Sequence, residues 1–334
     1  MSRSYSDLLE EASKLARVVD HYVLDTAQTY PQKLADASLH LFKAGGKRLR
    51  PTITLLAARM LGGLEAEMRA VPLASAVEVA HTFTLIHDDI MDKDEMRRGV
   101  PTTHVVYGED WAILAGDLLH ALSFHYIARG VERGLTHEQV YRALKALSDA
   151  AIYVSRGQAL DMLFEGTWNV GVSDYLNMVR LKTGAMIEAA ARLGAIAAGS
   201  PKEAEDALGL YGCFTGVAFQ IKDDILGVFG DPRVTGKPVY SDLRRGKKTL
   251  LVIYAVSEAG RKELVELIGP EAGEDDLRRA AKIIEESGAL DYALKTAFRY
   301  AEKAREVLSG VDAVDSKAKK LLADLALYSV ERDR

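Results

Sequence analysis

Two long apolar segments of the chain each end in a pair of aspartates, and this arrangement limits the folds that the chain can adopt. The first segment, residues 71–86, runs into Asp88 and Asp89, and the second ends in Asp223 and Asp224, about 135 residues later. Apolar runs of this length are typical of buried helices. Helix bundles build metal sites from side chains on facing helices. We therefore expect two helices that face each other across a cavity, each carrying carboxylates.

A third aspartate, Asp92, follows Asp88 by four residues. On a helix this spacing places both carboxylates on one face, one turn apart. Two carboxylates so close repel each other unless a cation lies between them, and Mg²⁺ binds one or two protein carboxylates together with water and phosphate oxygens. The motif alone leaves two interpretations open, a Mg²⁺ site for a phosphorylated substrate or a solvated acidic helix end.

The composition favours an all-α protein in one domain spanning residues 1–334. Of its 334 residues, 48% are apolar and 27% are charged, which is ordinary for a globular protein. Only 8 residues are proline, and strand-like alternation of apolar and polar residues is scarce. The apolar periodicity predicts ten or more helices in order along the chain.

Charge, hydropathy and cysteine content exclude several classes of protein. The net charge of −5 argues against nucleic acid as a partner. No apolar run reaches the roughly 18–20 residues that span a bilayer, and the first residues lack the apolar core of a signal peptide. Cys213 is the single cysteine, so no disulfide can form within the chain. We therefore expect a cytoplasmic protein.

Basic residues lie where predicted helices begin and end, close in sequence to the aspartates. Residues 45–51, Gly-Gly-Lys-Arg-Leu-Arg-Pro, combine basic side chains with a helix N-terminus, which favours a phosphate group. Each basic residue alone is an ordinary surface charge, but their shared placement indicates a diphosphate site. The others are Arg97 and Arg98 after the first motif, Lys182 inside the predicted helix 174–198, and Lys237, Lys247 and Lys248 after the second motif.

Taken together, these segments resemble the trans-isoprenyl diphosphate synthases, or polyprenyl synthetases, and most of all the archaeal-type geranylgeranyl diphosphate synthases. The matching motifs are residues 45–51, 88–92 with 97–99, 182–184, 220–224 with 236–238, and 246–249. The resemblance implies an isoprenoid-synthase helical bundle around a central cavity. It also implies a homodimer.

The resemblance further implies a Mg²⁺-dependent, head-to-tail elongation of isoprenoid chains. An allylic diphosphate (dimethylallyl, geranyl or farnesyl) ionises, and the double bond of isopentenyl diphosphate attacks the allylic cation. Roughly two to three Mg²⁺ ions would stabilise the departing diphosphate. The expected product is geranylgeranyl diphosphate.

By this resemblance, three groups of residues have distinct roles. Mg²⁺ would be bound by Asp88, Asp92 and Asp223, with Asp89 and Asp224 supporting these ligands through hydrogen bonds. The allylic diphosphate and the cation beside it would be held by Arg97, Lys182, Thr183, Gln220, Lys237 and Lys247. Isopentenyl diphosphate would be held by Lys47, Arg50, His81 and Arg98. Gln158 and Asp161 are either additional contacts around the site or a polar pair of the core.

The second motif departs from the common pattern, because its third position is Gly227 rather than aspartate. A glycine cannot bind a metal, so we expect this cluster to depend on Asp223 with water. Asp231 lies beyond the predicted helix end and does not replace the missing carboxylate. The archaeal-type synthases share this glycine, so the resemblance still implies activity.

Phe83, five residues before Asp88, resembles the bulky residue that ends chain growth in geranylgeranyl diphosphate synthases. Thr84 is small where animal-type farnesyl diphosphate synthases place a second aromatic residue. A helical wheel places Phe83 on the flank of the aspartate face, while His81 and Thr84 lie closer to it. The alternative for Phe83 is an ordinary core position.

Three other functions stay open at this point. The chain could be a farnesyl or bifunctional farnesyl/geranylgeranyl diphosphate synthase. It could be a terpene cyclase, although the complete segment 45–51 argues against an enzyme that binds no isopentenyl diphosphate. It could also be a non-catalytic regulatory subunit of a synthase, but such a subunit could lose its aspartates and this chain keeps both pairs.

Overall fold

The computed structural model describes residues 5–29, 31–231 and 239–332, and these residues are predominantly helical. The predicted all-α class is therefore confirmed. Lys237, with the motif residues Gly236 and Pro238, lies outside the described residues. None of the helices described is long and apolar enough to cross a membrane.

The helices follow one another with short connections. Before the second motif they are α1 (Ser6–Thr26), α2 (Gln32–Lys43), α3 (Leu49–Arg69), α4 (Val71–Met91), α5 (Thr103–Tyr107), α6 (Glu109–Ala128), α7 (His137–Glu165), α8 (Val172–Val179) and α9 (Ala185–Ala197). The second motif lies in α10 (Lys202–Phe229), which precedes α11 (Ser241–Arg244), α12 (Leu250–Ile253), α13 (Leu264–Leu267), α14 (Glu274–Glu286), α15 (Ala289–Ser309) and α16 (Ser316–Glu331). Strands β1 (Met96–Arg97) and β2 (Val100–Pro101) pair antiparallel.

Contacts between residues group the chain into two compact units. The first contains Met1–Ala151, Met186–Gly209 and Leu308–Asp324, and the second contains Ile152–Ala185, Leu210–Val307 and Leu325–Arg334. The first aspartate motif belongs to the first unit and the second motif to the second unit. The single domain expected from the sequence stays a prediction.

Helix α4 is the central helix of the first unit, where it packs against α1, α3 and α6. Every residue from Val71 to Ala80 is buried, as expected for a helix that is apolar on nearly all sides. Ser75 and Glu78 are the polar residues of this stretch, and most polar residues of α4 lie in its last turns, with Asp88 and Asp89. The burial of the first ten residues thus fixes the position of the motif at the helix end.

The sequence predicts a turn at Gly62 and Gly63 and then one helix over residues 65–95, and the structure differs at both ends. Helix α3 continues past a local kink at Gly63, where φ is 70°. The chain breaks instead at Ala70, because Pro72 is accommodated best in a first helical turn. The helix then ends at Met91, and a short hairpin replaces the predicted last turn.

A π-helical turn, Arg180–Gly184, connects α8 to α9. It contains the Lys-Thr-Gly motif of residues 182–184, from which the sequence predicts an interruption of the helix 174–198. Such turns widen a helix locally and are frequent at functional sites. The prediction of an interrupted helix is therefore confirmed, and the interruption is a change of helical pitch.

Candidate active site

The carboxylates of the first motif point to two sides of the end of α4. The amide of Asp92 donates to the carbonyl of Asp88 at 2.8 Å, so these residues are one helical turn apart. Both side chains are partly exposed. Asp89 is fully buried, and burial raises its pKa to about 6. One face of this helix end thus presents two accessible carboxylates, and the other face buries the third.

Arg97 links the hairpin to this cluster. Its Nε donates to Oδ1 of Asp89, and its Nη2 lies 3.7 Å from carboxylate oxygens of both Asp88 and Asp94. The hairpin turn that carries Arg97 requires positive φ angles at Arg98 and Gly99, 54° and 77°. The structure therefore brings the predicted phosphate-binding Arg97 into contact with the first aspartate pair.

Four arginines of the first unit lie close enough to His81 to influence its charge. Burial lowers the pKa of His81 well below its usual value, and the guanidinium groups of Arg50, Arg98, Arg97 and Arg48 act in the same direction. Arg50 and Arg98, both predicted to hold isopentenyl diphosphate, thus lie near a neutral imidazole. Lys47, which was predicted to act with them, is exposed.

Arg98 lies on the glycine turn that precedes α3. Its Nη1 donates to the carbonyls of Gly45 and Leu41, the latter at 3.2 Å. A Cβ on Gly46 would lie only 2.8 Å from the guanidinium carbon. Glycine is therefore required at position 46 for this close approach, which gives a physical reason for the Gly-Gly pair.

Arg48 stabilises the same glycine turn from its buried side, a role that the sequence did not indicate. It has a left-handed backbone with φ of 46°, and its side chain is buried. The guanidinium contacts Asp20 at 2.7 Å and Glu78 at 3.0 Å, and it stacks on Phe42 at 4.1 Å. Arg48 thus anchors the backbone between its exposed neighbour Lys47 and the half-buried Arg50.

The second cluster is built around Asp224, which is buried in the second unit. Asp224 accepts hydrogen bonds from the hydroxyl of Tyr175 at 2.5 Å, the amide of Gln220 at 3.0 Å and the ammonium of Lys247 at 3.1 Å. Thr183 in turn donates to Gln220 at 2.7 Å. Three residues predicted to bind the allylic diphosphate thus share one hydrogen-bond network.

Lys182 joins this site through Asp161, its partner at 2.6 Å. Burial alone would raise the pKa of Asp161, but Lys247 and Lys182 hold it below its usual value. Burial would likewise lower the pKa of Lys247, but Asp224, Asp242 and Asp161 raise it well above its ordinary value. Lys247 is therefore charged. Lys182 and Lys247 line a small cavity together with Asp161, Thr183, Gln220 and Asp224.

Asp242 occupies the space left by the missing third aspartate of the second motif. A Cβ on Gly227 would lie 2.3 Å from Oδ2 of Asp242. Asp242 is largely buried and reaches this position from α11. A carboxylate therefore lies close to where residue 227 would project its side chain, although the local sequence shows only a glycine.

Asp223 differs from Asp224 in its surroundings. Its side chain is 40% exposed, and Oδ1 accepts from Nη2 of Arg332 at 2.5 Å. Tyr175, Asp242 and Arg332 all contact the second motif, yet none of them belongs to a motif recognised in the sequence. Their contacts come from tertiary packing, which local spacing does not report.

The donor chemistry of the exposed aspartates fits Mg²⁺. No three His, Cys, Asp or Glu side chains among the described residues form a preassembled metal cluster. Mg²⁺ needs no such cluster, because it keeps several waters and binds through one or two carboxylates plus substrate phosphates. Asp88 with Asp92, and separately Asp223, provide hard oxygen donors of this kind.

Phe83 points towards α6. Its ring centroid lies 4.6 Å from that of His120 and 6.0 Å from that of His87. Thr84 uses its hydroxyl locally, donating to the carbonyl of His81 at 2.8 Å. The aromatic ring is thus part of the surface between α4 and α6, on the flank of the aspartate face as the helical wheel predicts.

Comparison with known proteins gives a consistent result. The family described as polyprenyl synthetase matches residues 31–285. A geranylfarnesyl diphosphate synthase from Aeropyrum pernix is 69% identical over 315 residues, which cover 94% of this chain and 99% of that protein.

Two solved structures cover essentially the whole chain. A geranylgeranyl pyrophosphate synthetase from Pyrococcus horikoshii has a TM-score of 0.91 and 36% identity, covering 99% of this chain and 100% of that one. A polyprenyl synthase from Caulobacter crescentus, crystallised with calcium and isoprenyl diphosphate, has a TM-score of 0.89 and 33% identity, covering 100% of this chain and 99% of that one.

Proposed function

The chain belongs to the polyprenyl synthetase family and is a trans-prenyltransferase of isoprenoid chain elongation. From this premise we propose that it condenses isopentenyl diphosphate with allylic diphosphates in a Mg²⁺-dependent reaction. The observation that carries the proposal is the pairing of accessible carboxylates with basic side chains in both units. A diphosphate bridged to carboxylates by cations needs such a mixed set of ligands.

We assign Mg²⁺ binding to Asp88 and Asp92 at the first motif and to Asp223 at the second. When bound, Mg²⁺ would act as a Lewis acid that stabilises the negative charge of the departing diphosphate. The Caulobacter crescentus polyprenyl synthase was crystallised with calcium and isoprenyl diphosphate, which supports the use of a divalent cation in this proposal. Asp242 would add negative charge at Gly227, which offers none of its own.

The residues of the second cluster hold the allylic diphosphate in this proposal. Lys182 and Lys247 supply positive charge at fixed positions, since Asp161 and Asp224 hold their ammonium groups. Thr183 supplies a hydroxyl and Gln220 an amide. Arg97 has the corresponding role at the first motif, and we extend it to Lys237. Because these groups are already oriented before the substrate binds, little reorganisation accompanies bond cleavage.

Isopentenyl diphosphate binds to the basic residues around His81. Lys47, Arg50 and Arg98 supply the charge, and the neutral imidazole of His81 supplies a hydrogen bond. The C3–C4 double bond then attacks the allylic cation, and C4 forms the new carbon–carbon bond. The proton lost in the last step passes to the released diphosphate, so the mechanism needs no covalent nucleophile.

For the final product we propose geranylfarnesyl diphosphate, one isoprene unit longer than the geranylgeranyl diphosphate expected from the sequence. The support is the 69% identity to a geranylfarnesyl diphosphate synthase, against 40% and 42% to two archaeal geranylgeranyl diphosphate synthases. Geranylgeranyl diphosphate is the second candidate, because Phe83 is a bulky residue at the position that ends chain growth in its synthases.

The deciding experiment is incubation with Mg²⁺, isopentenyl diphosphate and labelled dimethylallyl, geranyl or farnesyl diphosphate, with product lengths read after dephosphorylation. We expect elongation to stop at the geranylfarnesyl chain. Asp88→Asn should abolish turnover while circular dichroism reports an intact fold. Full turnover of that variant would contradict the role of Asp88, and an inactive wild-type chain would indicate a regulatory subunit.

We also propose a homodimer formed through the surface of α5 and α6. Helix α6 is apolar on nearly all sides, yet Ile113 and Leu114 are 46% and 50% exposed. Val105 and Val106 of α5 are exposed as well. A helix that is apolar all round is normally buried, and an exposed apolar patch indicates an interaction surface. A second copy of the chain fits a patch of this composition.

A further inference from the structure

We propose that Arg332 is a positioning residue that weakens metal binding at Asp223 until a diphosphate is present. The inference rests on the proposed role of Asp223 as a metal ligand. Arg332 follows α16 near the end of the chain, 109 residues after Asp223. No motif connects the two residues, and their contact is visible only in the folded chain.

The contact joins a shielded cation to an accessible carboxylate. Nη2 of Arg332 donates to Oδ1 of Asp223 at 2.5 Å. The Arg332 side chain is 4% exposed, whereas that of Asp223 is 40% exposed. Bulk solvent therefore reaches the carboxylate but barely reaches the guanidinium, so the charge of Arg332 is poorly screened.

The position of the guanidinium does not depend on Asp223. Nε of Arg332 donates to the carbonyl of Ser329 at 3.0 Å, and Nη2 also donates to the carbonyl of Phe219 at 3.3 Å. The guanidinium carbon lies 4.0 Å from the centre of the Phe219 ring. A planar guanidinium combines such stacking with directed hydrogen bonds. Arg332 therefore stays in place when Asp223 binds another ligand.

Two consequences follow for a metal ion at Asp223. The Oδ1 atom is engaged by Arg332, so the metal binds through Oδ2 alone. The fixed positive charge also offsets the carboxylate and repels the divalent cation at short range. Binding becomes favourable when a diphosphate adds negative charge on the other side of the ion. Arg332 thus makes the metal and the diphosphate bind cooperatively at this motif.

The test measures metal binding in full-length protein that carries Asp88→Asn and Asp92→Asn, so that the first motif does not contribute. Mn²⁺ replaces Mg²⁺, and paramagnetic resonance of free Mn²⁺ gives the dissociation constant with and without inorganic diphosphate. Matched titrations without protein account for the Mn²⁺ bound by diphosphate itself.

We expect Arg332→Met, which keeps an apolar stem on Phe219 and removes the charge, to tighten diphosphate-free Mn²⁺ binding about tenfold. In this variant, the ratio of the Mn²⁺ dissociation constants without and with diphosphate should shrink by the same factor. Arg332→Lys, which retains the charge, should stay close to the parent protein. Adding Asp223→Asn to Arg332→Met should remove the gain.

Unchanged or weaker diphosphate-free binding in Arg332→Met would overturn the proposal, provided that its melting curve shows a folded protein. If that variant does not fold, Arg332→Gln removes the charge, retains an amide donor and carries the same expectation. If Asp223→Asn alone leaves Mn²⁺ binding unchanged with diphosphate present, the metal-binding role of Asp223 fails instead.

Discussion

His81 is the residue whose protonation the fold constrains most clearly. It lies on the central helix of the first unit, and its pKa is lowered well below 6.5 by burial and then by the arginines around it. The folded protein therefore keeps the imidazole neutral at pH values at which the unfolded chain would protonate it. This difference couples folding stability to pH.

We expect the free energy of unfolding to fall as the pH decreases through about 6.5, because the unfolded state then binds a proton that the folded state does not. The contribution is complete above the unfolded pKa and is lost below it. His81→Gln should flatten this part of the profile in urea titrations at several pH values. His125→Gln, at an exposed position, is the control, and equal slopes for His81→Gln and wild type would contradict the expectation.

Phe83 gives a second prediction at the scale of one side chain. Phe83→Ser removes the ring that contacts His120 and should allow longer products, because a smaller residue opens the surface between α4 and α6. Chromatography of dephosphorylated products from the farnesyl primer measures the shift. Phe124→Ser changes an aromatic residue that also contacts His120 and serves as the comparison. An unchanged product distribution in Phe83→Ser would refute the assignment.

The sequence predicts single residues of the site when their relation is local. Asp88 and Asp92 share a helix face because of their spacing, and the structure confirms that geometry. The contact between Asp89 and Arg97 was harder to predict from the sequence, because it depends on the hairpin turn. Arg332 and Asp242 were missed because long-range packing, which leaves no periodic signal, brings them to the second motif.

Among the helices, the contact between α7 and the π-helical turn matters most for the site. A Cβ on Gly157 of α7 would lie 2.3 Å from the backbone nitrogen of Lys182 and 2.6 Å from its Cα. Backbone atoms cannot move aside as a flexible side chain can. The absence of a side chain at residue 157 therefore fixes how closely α7 approaches the turn that carries Lys182 and Thr183.

Gly157→Ala should destabilise the protein by about 1–3 kcal/mol, although alanine in a helix is by itself favourable by about 0.5–1 kcal/mol relative to glycine. The clash outweighs that gain and should also raise the KM for the allylic diphosphate. Urea unfolding and steady-state kinetics measure the two effects. In Gly166→Ala the nearest atom to the new Cβ is 3.9 Å away, so this control should be nearly neutral. If Gly157→Ala stabilises the protein, the backbone of the π-helical turn can move away from the new methyl group, and the expectation is wrong.

At the level of elements, helical periodicity predicted most of the secondary structure. The isoprenoid-synthase fold that the family resemblance implied is confirmed by the solved structures of similar chains. The predicted position of the boundary between α3 and α4 was wrong, because the glycine pair kinks α3 without ending it. The hairpin after α4 was missed because its strands have two residues each, which is too short for an alternating pattern.

On the scale of the whole molecule, the exposed apolar surface of α5 and α6 predicts self-association. Ile113→Glu combined with Leu114→Glu should convert a dimer into monomers, since burying two charges in an interface is strongly unfavourable. Sedimentation equilibrium measures the change in mass. Val314→Glu, at a residue that is 76% exposed elsewhere in the first unit, should leave the mass unaltered. A double variant that stays dimeric would place the interface elsewhere.

The prediction that the two aspartate clusters face one cavity concerns the arrangement of both units, and it stays a prediction. Sequence spacing indicated the clusters because each lies at the end of its own helix. The arrangement of two helices so far apart in the chain depends on every element between them, and local pattern does not specify it.

The unequal members of each aspartate pair have a consequence for gene duplication. In both pairs the first aspartate is accessible, and the second is buried against a basic side chain, Arg97 for Asp89 and Lys247 for Asp224. Replacing Asp88 would remove a proposed metal ligand and still leave Arg97 paired with Asp89, whereas replacing Asp89 or Asp224 removes the carboxylate closest to Arg97 or Lys247. Asp223 is accessible but pairs with the buried Arg332, so its loss also costs stability. A duplicated copy that is kept only for its shape would therefore lose Asp88 first and retain the other three aspartates longer.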